Sequence, residues 1–168
     1  MDIWECPSYT GEQRDQILDG DPDPWGVEHL CVVWRDLSGH VVAREGDQLV
    51  AHAGWVGVDL RAGNHVVRAV GLGSVLVRSR ARGRGIGKTI VRAAMTSMRR
   101  TGRPAGLLFC GDGLVPFYQA LGWVQITDPV EVDQPAGKVI MPMSSCWVPL
   151  QDDATLPMGP LAVDGLPF

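Results

Sequence analysis

The feature that most restricts the fold of this 168-residue chain is a basic, glycine-rich loop between an apolar run and an amphipathic run. The apolar run ends at Val75, Leu76 and Val77, and the loop reads Arg82-Gly83-Arg84-Gly85-Ile86-Gly87-Lys88. A strand that enters such a loop and leaves it as a helix exposes unpaired backbone N–H groups at the start of the helix. Together with the helix dipole, these groups favour an anion. We therefore predict that the loop binds the pyrophosphate of a cofactor.

Two common phosphate-binding motifs differ from this loop in spacing. A P-loop needs four residues between its first glycine and its final Gly-Lys-Thr, and that first position is Arg82 here. The dinucleotide fingerprint G-x-G-x-x-G does not fit either, because Gly83, Gly85 and Gly87 alternate with single residues. The pattern that fits is Arg-x-x-Gly-x-Gly over residues 82–87.

Hydrophobic periodicity predicts a single α/β domain over residues 1–168, with a central mixed, mostly antiparallel sheet flanked by helices. Strands are predicted at residues 30–36, 40–45, 48–60, 65–77, 105–110, from Trp123 onward and at 138–143. Helices are predicted at 9–20 (capped by Thr10 with Gln13), 85–100 and 116–121. The strand–helix–strand order around the loop predicts a parallel crossover. The proline-rich end of the chain is apolar enough to predict an ordered C-terminal extension.

Composition limits the classes of function. No apolar run reaches the length of a membrane span, and the first residues lack the pattern of a signal peptide. The four cysteines (Cys6, Cys31, Cys110 and Cys146) lie far apart, and the histidines show no metal-ligand spacing. We therefore expect a cytoplasmic protein with reduced thiols, no metal and no membrane partner.

Charge is distributed unevenly along the chain, although the net charge is only −4. Eleven of the fifteen Lys and Arg residues lie between Leu60 and Gly111, a window without any Asp or Glu. Such a block favours contact with an anion, either a phosphorylated cofactor or nucleic acid, although a solvated basic surface is the simpler alternative. Because no nucleic-acid motif accompanies the window, nucleic acid is the weaker interpretation.

The loop resembles the acyl-coenzyme A loop of the GCN5-related N-acetyltransferase (GNAT) family. The strand before it (Ser74–Val77), the buried strand after its helix (Leu107–Cys110) and the segment Pro116–Trp123 with its tyrosine are similar to the same family. The likeness covers about a third of the chain. It implies a GNAT fold, acetyl-coenzyme A (acetyl-CoA) as the donor substrate, and direct transfer to an amine without an acyl-enzyme.

The resemblance also implies roles for individual residues. The expected coenzyme A contacts are Val75, Leu76, Val77, Arg82, Gly83, Arg84, Gly85, Ile86, Gly87 and Lys88. A strand-edge N–H near Leu76 or Val77 would stabilise the oxyanion. Tyr118 matches the tyrosine that protonates the departing thiolate, although a merely packed tyrosine is the simpler alternative.

The chain departs from the family at the general base. Many members carry a glutamate on the fourth strand, where this sequence reads Gly71-Leu72-Gly73-Ser74. We expect Asp164 or the carboxylate of Phe168 to accept the proton, because the resemblance places the end of the chain at the substrate cleft. Asp112 and solvent remain alternatives.

A shorter likeness, to bacterial aminoglycoside 2′-N-acetyltransferases, rests on Trp25…Glu28-His29, Leu49–Ala53 and Asp164–Phe168. A fainter one points to the nodulation N-acyltransferases. They imply a small cationic acceptor such as an amino sugar. Two features could serve it: an acidic rim of Asp21, Asp23, Glu28, Asp128, Glu131, Asp133, Asp152, Asp153 and Asp164, and a pocket walled by Trp25, Trp34, Trp55 and Trp147. Scattered solvated acids and core tryptophans are the simpler alternatives.

The sequence therefore predicts an acetyl-CoA-dependent N-acetyltransferase that acts on a primary amine of a small cationic acceptor. One alternative is a non-catalytic module that binds coenzyme A, although such a module has no need of Tyr118. The other is an acyltransferase that uses a longer acyl donor or a protein amine. Pairing of two chains into a homodimer is common in the family, but no residue here requires it.

Overall fold

Ten strands join into one sheet in the computed structural model, which describes residues 1–157 and 159–168. The strands are β1 (Asp2–Cys6), β2 (Gly39–Glu45), β3 (Gln48–Ala62), β4 (His65–Val77), β5 (Ala105–Cys110), β6 (Val124–Ile126), β7 (Val130–Gln134), β8 (Gly137–Ile140), β9 (Ser144–Pro149) and β10 (Leu161–Val163). The α-helices are α1 (Gly11–Leu18), α2 (Ile86–Arg100) and α3 (Val115–Gln119).

The sheet is mixed and mostly antiparallel, as predicted. Its order is β6-β9-β5-β4-β3-β10-β7-β8, and β2 joins the edge of β3 that β10 also uses. The parallel crossover around the loop is confirmed, because β4 and β5 are parallel neighbours and α2 connects them. None of the helices in the described residues combines the length and apolar character needed to cross a bilayer.

Helix α2 covers one face of the sheet, which we call the helix face. Its buried stripe repeats every three to four residues, as an amphipathic helix requires, and consists of Ile86, Ile90, Val91, Ala94, Met95 and Met98. These side chains pack in one cluster with Ala51 and Ala53 of β3 and with Val70 and Leu72 of β4. Because side chains alternate along a strand, the residues between them point to the opposite face.

The end of the chain lies on that opposite face, which we call the tail face. Phe168 is buried and packs against Phe109 with 5.2 Å between ring centroids. A Cβ on Gly71 would lie 2.5 Å from the Phe168 ring, and a Cβ on Gly73 would lie 2.7 Å from its carboxyl carbon. The two glycines of β4 therefore leave the space that the end of the chain fills.

Arg35 holds the tail in this place. Its backbone N–H donates to Pro167 O over 2.7 Å, and its guanidinium donates to Leu166 O and, over 2.9 Å, to Asp164 O. The Gly165 N–H also donates to the Asp133 carboxylate over 2.7 Å. The predicted ordered C-terminal extension is thus present, and backbone hydrogen bonds tie it to the sheet.

Sequence periodicity was wrong for residues 30–36, which form no strand. In this segment the Val33 N–H donates to the Gln134 side chain over 2.8 Å, and Arg35 donates to the tail. The segment cannot pair with β3, because β2 and β10 already occupy the edge of β3 that faces away from β4. Strands β1, β7, β9 and β10 were not predicted, and of the strand predicted at 138–143 only residues 138–140 belong to β8. The Thr10–Gln13 capping box of α1 is confirmed.

Candidate functional site

A gap opens where β4 and β5 separate. Their parallel pairing begins at Ala69 with Ala105 and ends at Leu72 with Leu108. Both strands continue beyond that point, β4 to Val77 and β5 to Cys110. Backbone groups on the inner edges of these strand ends therefore have no partner strand, which leaves them free to bind a ligand.

A bulge at Ser74 turns β4 away from β5. The register between β3 and β4 jumps from Gly54 opposite Gly73 to His52 opposite Leu76, so that two residues of β4 lie opposite one of β3. Ser74 has a φ of 47°, a left-handed conformation that residues other than glycine rarely adopt. A bulge bends its strand and increases the local twist, which accounts for the separation directly after Leu72.

The backbone of β4 presents alternate residues to the gap. The Arg78 N–H donates to Val50 O of β3 over 2.9 Å, so alternation also directs Leu76 towards β3 and directs Val75 and Val77 towards the gap. Side chains already reach the carbonyls of these two valines, with Trp25 Nε1 at 3.1 Å from Val75 O and Arg82 Nε at 3.0 Å from Val77 O. Of the predicted oxyanion donors, the Val77 amide thus faces the gap and the Leu76 amide does not.

The N-terminus of α2 lies beside this gap and exposes unpaired backbone N–H groups. Its N-cap, Gly85, has a φ of 81° and no side-chain cap. The Thr89 N–H donates to Gly85 O, so the amides of residues 86–88 have no partner within the helix. A Cβ on Gly83 or Gly85 would meet no heavy atom within 4 Å, so an anion can approach the backbone closely.

The basic window is not an isolated block of charge, because acids from distant parts of the chain pair with it. Arg78 contacts Asp19 over 2.8 Å, and Arg84 contacts Glu45 over 2.9 Å. Arg82 lies 3.8 Å from Asp21, and Arg80 lies 3.5 Å from Asp19. The hydrogen bond from Arg78 holds the pKa of Asp19 below its ordinary value. The charge pattern alone could not reveal these counter-ions.

Tyr118 lies on the helix face, in the same cluster as Cys110 and Cys146. Helix α3 begins at Val115, with Pro116 in its first turn, and turns the Tyr118 side chain into the core, where only 6% of the residue is exposed. Burial raises the pKa of Tyr118 above its ordinary value, so the phenol keeps its proton at neutral pH. A phenol of this kind can donate to an anion.

The predicted carboxylates occupy different places. The carboxyl group of Phe168 lies over Gly73, next to the bulge on the tail face. Asp164 pairs with both guanidinium donors of Arg61, which lowers the pKa of Asp164. Asp164 lies beside Asp59 of β3. Asp59 is five residues along β3 from Gly54, the residue opposite Gly73, and five residues of extended strand span about 17 Å.

The remaining acids and tryptophans are mostly engaged elsewhere. Asp112 accepts from the Ser144 hydroxyl over 2.8 Å. The proposed acidic rim is partly neutralised, because Asp133 pairs with Lys138 over 3.0 Å and Asp23 accepts from the backbone of Val27. Three of the four predicted pocket tryptophans pack against the two large core clusters, namely Trp34, Trp55 and Trp147. Only Trp25 reaches the inner edge of β4.

A buried histidine, His52, lies directly behind the bulge. His52 is 1% exposed, and its Nδ1 lies 2.8 Å from Ser74 O. Its Nε2 lies 3.1 Å from Nδ1 of His40, and the Tyr9 ring stacks on it at 3.7 Å. Burial lowers the pKa of His52 to about 4. The imidazole is therefore neutral throughout the physiological range.

Comparisons with known proteins agree with this geometry. A family model described as an acetyltransferase (GNAT) domain matches residues 32–126, more than half of the chain. That range contains β2–β5, the loop, α2, α3 and Tyr118. None of the curated protein sequences matches the chain.

Solved structures with low sequence identity share the fold. The GNAT family N-acetyltransferase YhbS from Escherichia coli, in complex with CoA, is 18% identical, with a TM-score of 0.66 over 95% of this chain and 87% of its own. A mutant AtaT toxin bound to acetyl-CoA is 13% identical, with a TM-score of 0.57 over 89% and 92%. The ribosomal-protein alanine N-acetyltransferase from Escherichia coli is 11% identical, with a TM-score of 0.57 over 92% and 99%.

Acid should destabilise the fold through His52. Its pKa is about 4 in the folded chain, against an ordinary 6.5. Above pH 6.5 the residue is neutral in both states and its contribution to stability is complete; as pH falls towards 4, the unfolded chain binds the proton first and that contribution is lost. The loss is on the order of 3 kcal/mol.

Urea unfolding at pH 7 and pH 4.5 measures this effect. His52→Asn, which removes the titrating group, should show a smaller loss of unfolding free energy between the two pH values than the wild type. Equal losses in both proteins would contradict the assignment.

Proposed function

Because the chain belongs to the acetyltransferase (GNAT) domain family and is an acetyl-CoA-dependent acetyltransferase, we propose that it acetylates a primary amine of a small cationic molecule. One observation carries the mechanism. The Tyr118 phenol lies in the core cluster on the helix face of the sheet, and the Phe168 carboxyl group lies over Gly73 on the tail face. A thioester placed in the gap between β4 and β5 would have a proton donor on one side and a proton acceptor on the other.

The donor would bind along the loop and the inner edge of β4. The free amides of residues 86–88 and the positive end of α2 suit the pyrophosphate. Arg82 and Arg84 are held near it by Asp21 and Glu45, and would exchange these carboxylates for phosphate oxygens. The amide groups of the pantetheine arm match the inner edge of β4 at Val75 and Val77, where the Trp25 indole now donates to a carbonyl.

The reaction needs no covalent enzyme intermediate. The amine nitrogen attacks the thioester carbonyl carbon, and the carbonyl oxygen gains negative charge that the Val75 or Val77 amide can stabilise. The C–N bond forms and the C–S bond breaks, so that the products are an acetamide and coenzyme A. A protonated amine first loses a proton to the base, which frees the nitrogen lone pair for attack. The nitrogen loses a second proton as the tetrahedral intermediate collapses, and the departing thiolate gains one from the acid, so that one proton is released overall.

Tyr118 supplies the proton to the thiolate in this proposal. Its phenol is buried on the helix face and keeps its proton at neutral pH. A Cβ built on Gly87 would lie 3.5 Å from the Phe117 ring, and Tyr118 packs against the same ring edge to face at 5.0 Å, so α3 lies beside the start of α2. This neighbourhood supports a phenol near the thioester end of a donor bound at the loop.

The Phe168 carboxylate of the 168-residue polypeptide accepts the amine proton. It lies over Gly73 on the tail face, where the chain lacks the strand glutamate of many relatives. Arg35 and Asp133 fix the backbone just before it. We place Asp164 outside the reaction because Arg61 neutralises it, and this pairing makes it a poor base.

The acceptor that we propose is a cationic amino sugar of the aminoglycoside type. A carboxylate beside the packed apolar side chains of Phe109, Phe168 and Leu37 would attract and orient a protonated amine. The proposed acidic rim contributes less than its count of acids suggests, because several of its members are paired. A larger polyamine is therefore a weaker acceptor than a compound that presents a single amine to this carboxylate.

An acetyl-CoA assay with a panel of acceptors tests the function. Thiol release should be amine-dependent and greatest with an aminoglycoside, smaller with spermidine, and absent with an uncharged amide. Release with a peptide N-terminus alone would replace the small-molecule acceptor by a protein amine. Donor binding without thiol release for any amine would favour the non-catalytic module.

Gly85→Glu should abolish donor binding. The substitution places a side chain and a negative charge at the α2 N-terminus, where the pyrophosphate would lie. Calorimetry with coenzyme A should show at least a hundredfold weaker affinity. Gly63→Glu is the matched control, since Gly63 also has a positive φ and open space around it but lies in the β3–β4 turn. Equal affinities for the two variants would contradict the loop assignment.

Tyr118→Phe should lower kcat about 10²-fold and leave coenzyme A affinity nearly unchanged, because the variant loses a proton donor but keeps the ring. Steady-state kinetics across pH, with calorimetry beside it, separate the two effects. Gln119→Ala changes an exposed side chain of the same helix and serves as the control. A kcat equal to that of the wild type at every pH would remove Tyr118 from the mechanism.

Amidation of the Phe168 carboxyl group tests the base without disturbing the packed ring. The amide, prepared by intein cleavage with ammonia, should lower kcat by about 10²-fold or more and change the acidic limb of the pH–rate profile. Phe168→Leu keeps the carboxylate and should retain most of kcat. Unchanged turnover in the amide would assign proton removal to Asp112 or to solvent.

A further inference from the structure

We propose that His52 is a positioning residue for acetyl transfer: its imidazole holds the Ser74 carbonyl, and this contact maintains the bulge that separates β4 from β5. The proposal rests on the proposed function, because it concerns the amides that would receive the donor. It assigns His52 no contact with either substrate.

The hydrogen bonds determine the tautomer of His52. Ser74 O can only accept, so the Nδ1 atom of His52, 2.8 Å away, carries the proton. Nε2 is then an acceptor, and His40 Nδ1, at 3.1 Å, is the donor. Tyr9 stacks on the ring with an interplanar angle of 10°, which fixes the plane of the imidazole. Both ring nitrogens are thus used, and the ring has one orientation.

The held carbonyl belongs to the most unusual residue of β4. Ser74 is the one residue of this strand, other than glycine, that has a positive φ among the described residues. A serine in that conformation relaxes towards the extended region unless its neighbours prevent it. The bond to a buried imidazole prevents it, because relaxation would rotate the carbonyl away and leave the Nδ1 proton without a partner in the core.

The bulge matters because the adjoining residues line the gap. Val75 follows Ser74 directly, and its backbone faces the space that β5 has left. If the bulge were lost, the residues of β4 after Ser74 would shift by one position relative to β3. Alternation would then turn the Val75 and Val77 amides towards β3. The oxyanion donor would then point away from the thioester. Through its bond to Ser74 O, His52 thereby controls the direction of the backbone amides that line the gap.

A side chain with only a packing role would not need these polar contacts. The cluster around His52 contains Ile17, Val42, Leu49 and Leu76, all of them apolar and buried. Burial of an imidazole among them costs free energy that a leucine would avoid. The contact with Ser74 O accounts for the presence of a histidine here.

The test compares two substitutions of His52. His52→Asn places its Nδ2 donor near the position of Nδ1 and can still bond Ser74 O, whereas His52→Leu cannot. We expect His52→Leu to lower kcat at least tenfold and to weaken coenzyme A affinity to a smaller extent, because the α2 N-terminus would still hold the pyrophosphate. His52→Asn should recover most of both. Both variants lose the His40 bond, so both should show a lower Tm.

A structural readout is independent of catalysis. Amide hydrogen exchange of residues 74–77, measured with and without coenzyme A, should be faster in His52→Leu than in wild type and close to wild type in His52→Asn. Ile17→Ala controls for lost stability, because it removes buried volume from the same cluster and does not touch the bulge. This control should lower Tm with kcat kept within about twofold.

The outcomes separate the two proposals. Folded His52→Leu with wild-type kcat and unchanged exchange at residues 74–77 would overturn the positioning role, whereas the acetyltransferase function would stand through Tyr118. An equal loss of kcat in His52→Leu, His52→Asn and Ile17→Ala would also overturn it, since stability alone would then explain the effect. Absence of amine-dependent turnover in the wild type would overturn the proposed function, and the exchange data would still report whether His52 holds the bulge.

Discussion

The separation of β4 from β5 is the constraint on which the site depends. Two parallel strands in one sheet would normally satisfy each other along their whole shared length, and here they stop after Leu72 and Leu108. The bulge at Ser74 makes the separation, and it places unpaired backbone groups beside the N-terminus of α2. A ligand that carries both a pyrophosphate and amide groups can satisfy the two sets of donors together.

The proposed proton donor and the proposed proton acceptor lie on opposite faces of the sheet. On the helix face, the apolar stripe of α2 and the short helix α3 bury Tyr118, and burial keeps its proton in place. On the tail face, glycines at 71 and 73 admit the end of the chain. A glutamate side chain at position 73 would collide with the Phe168 carboxyl group. The chain can therefore place the Phe168 carboxyl group over β4 only because β4 carries no glutamate at this position.

Much of the framework followed from patterns in the chain. The limits of β4 and β5, the amphipathic stripe of α2 and the capping box of α1 were all predictable, because they depend on residues near one another in sequence. The short strands β1, β7, β9 and β10 were not predictable in this way, and neither was the absence of a strand at residues 30–36. Whether such short segments pair depends on which edges of the sheet are free, and periodicity carries no information about that.

The sequence by itself determined that a strand, a glycine-rich basic loop and a helix follow one another, and hence that unpaired amides at a helix N-terminus lie next to basic side chains. It also determined which phenol lies on the short helix beyond β5. Only the tertiary structure decided that the Phe168 carboxyl group lies over Gly73, that distant acids pair with the basic window, and that His52 lies behind Ser74. The physical reason is range: local geometry depends on neighbouring residues, whereas these contacts join positions 22 to about 100 residues apart, which only the folded sheet brings together.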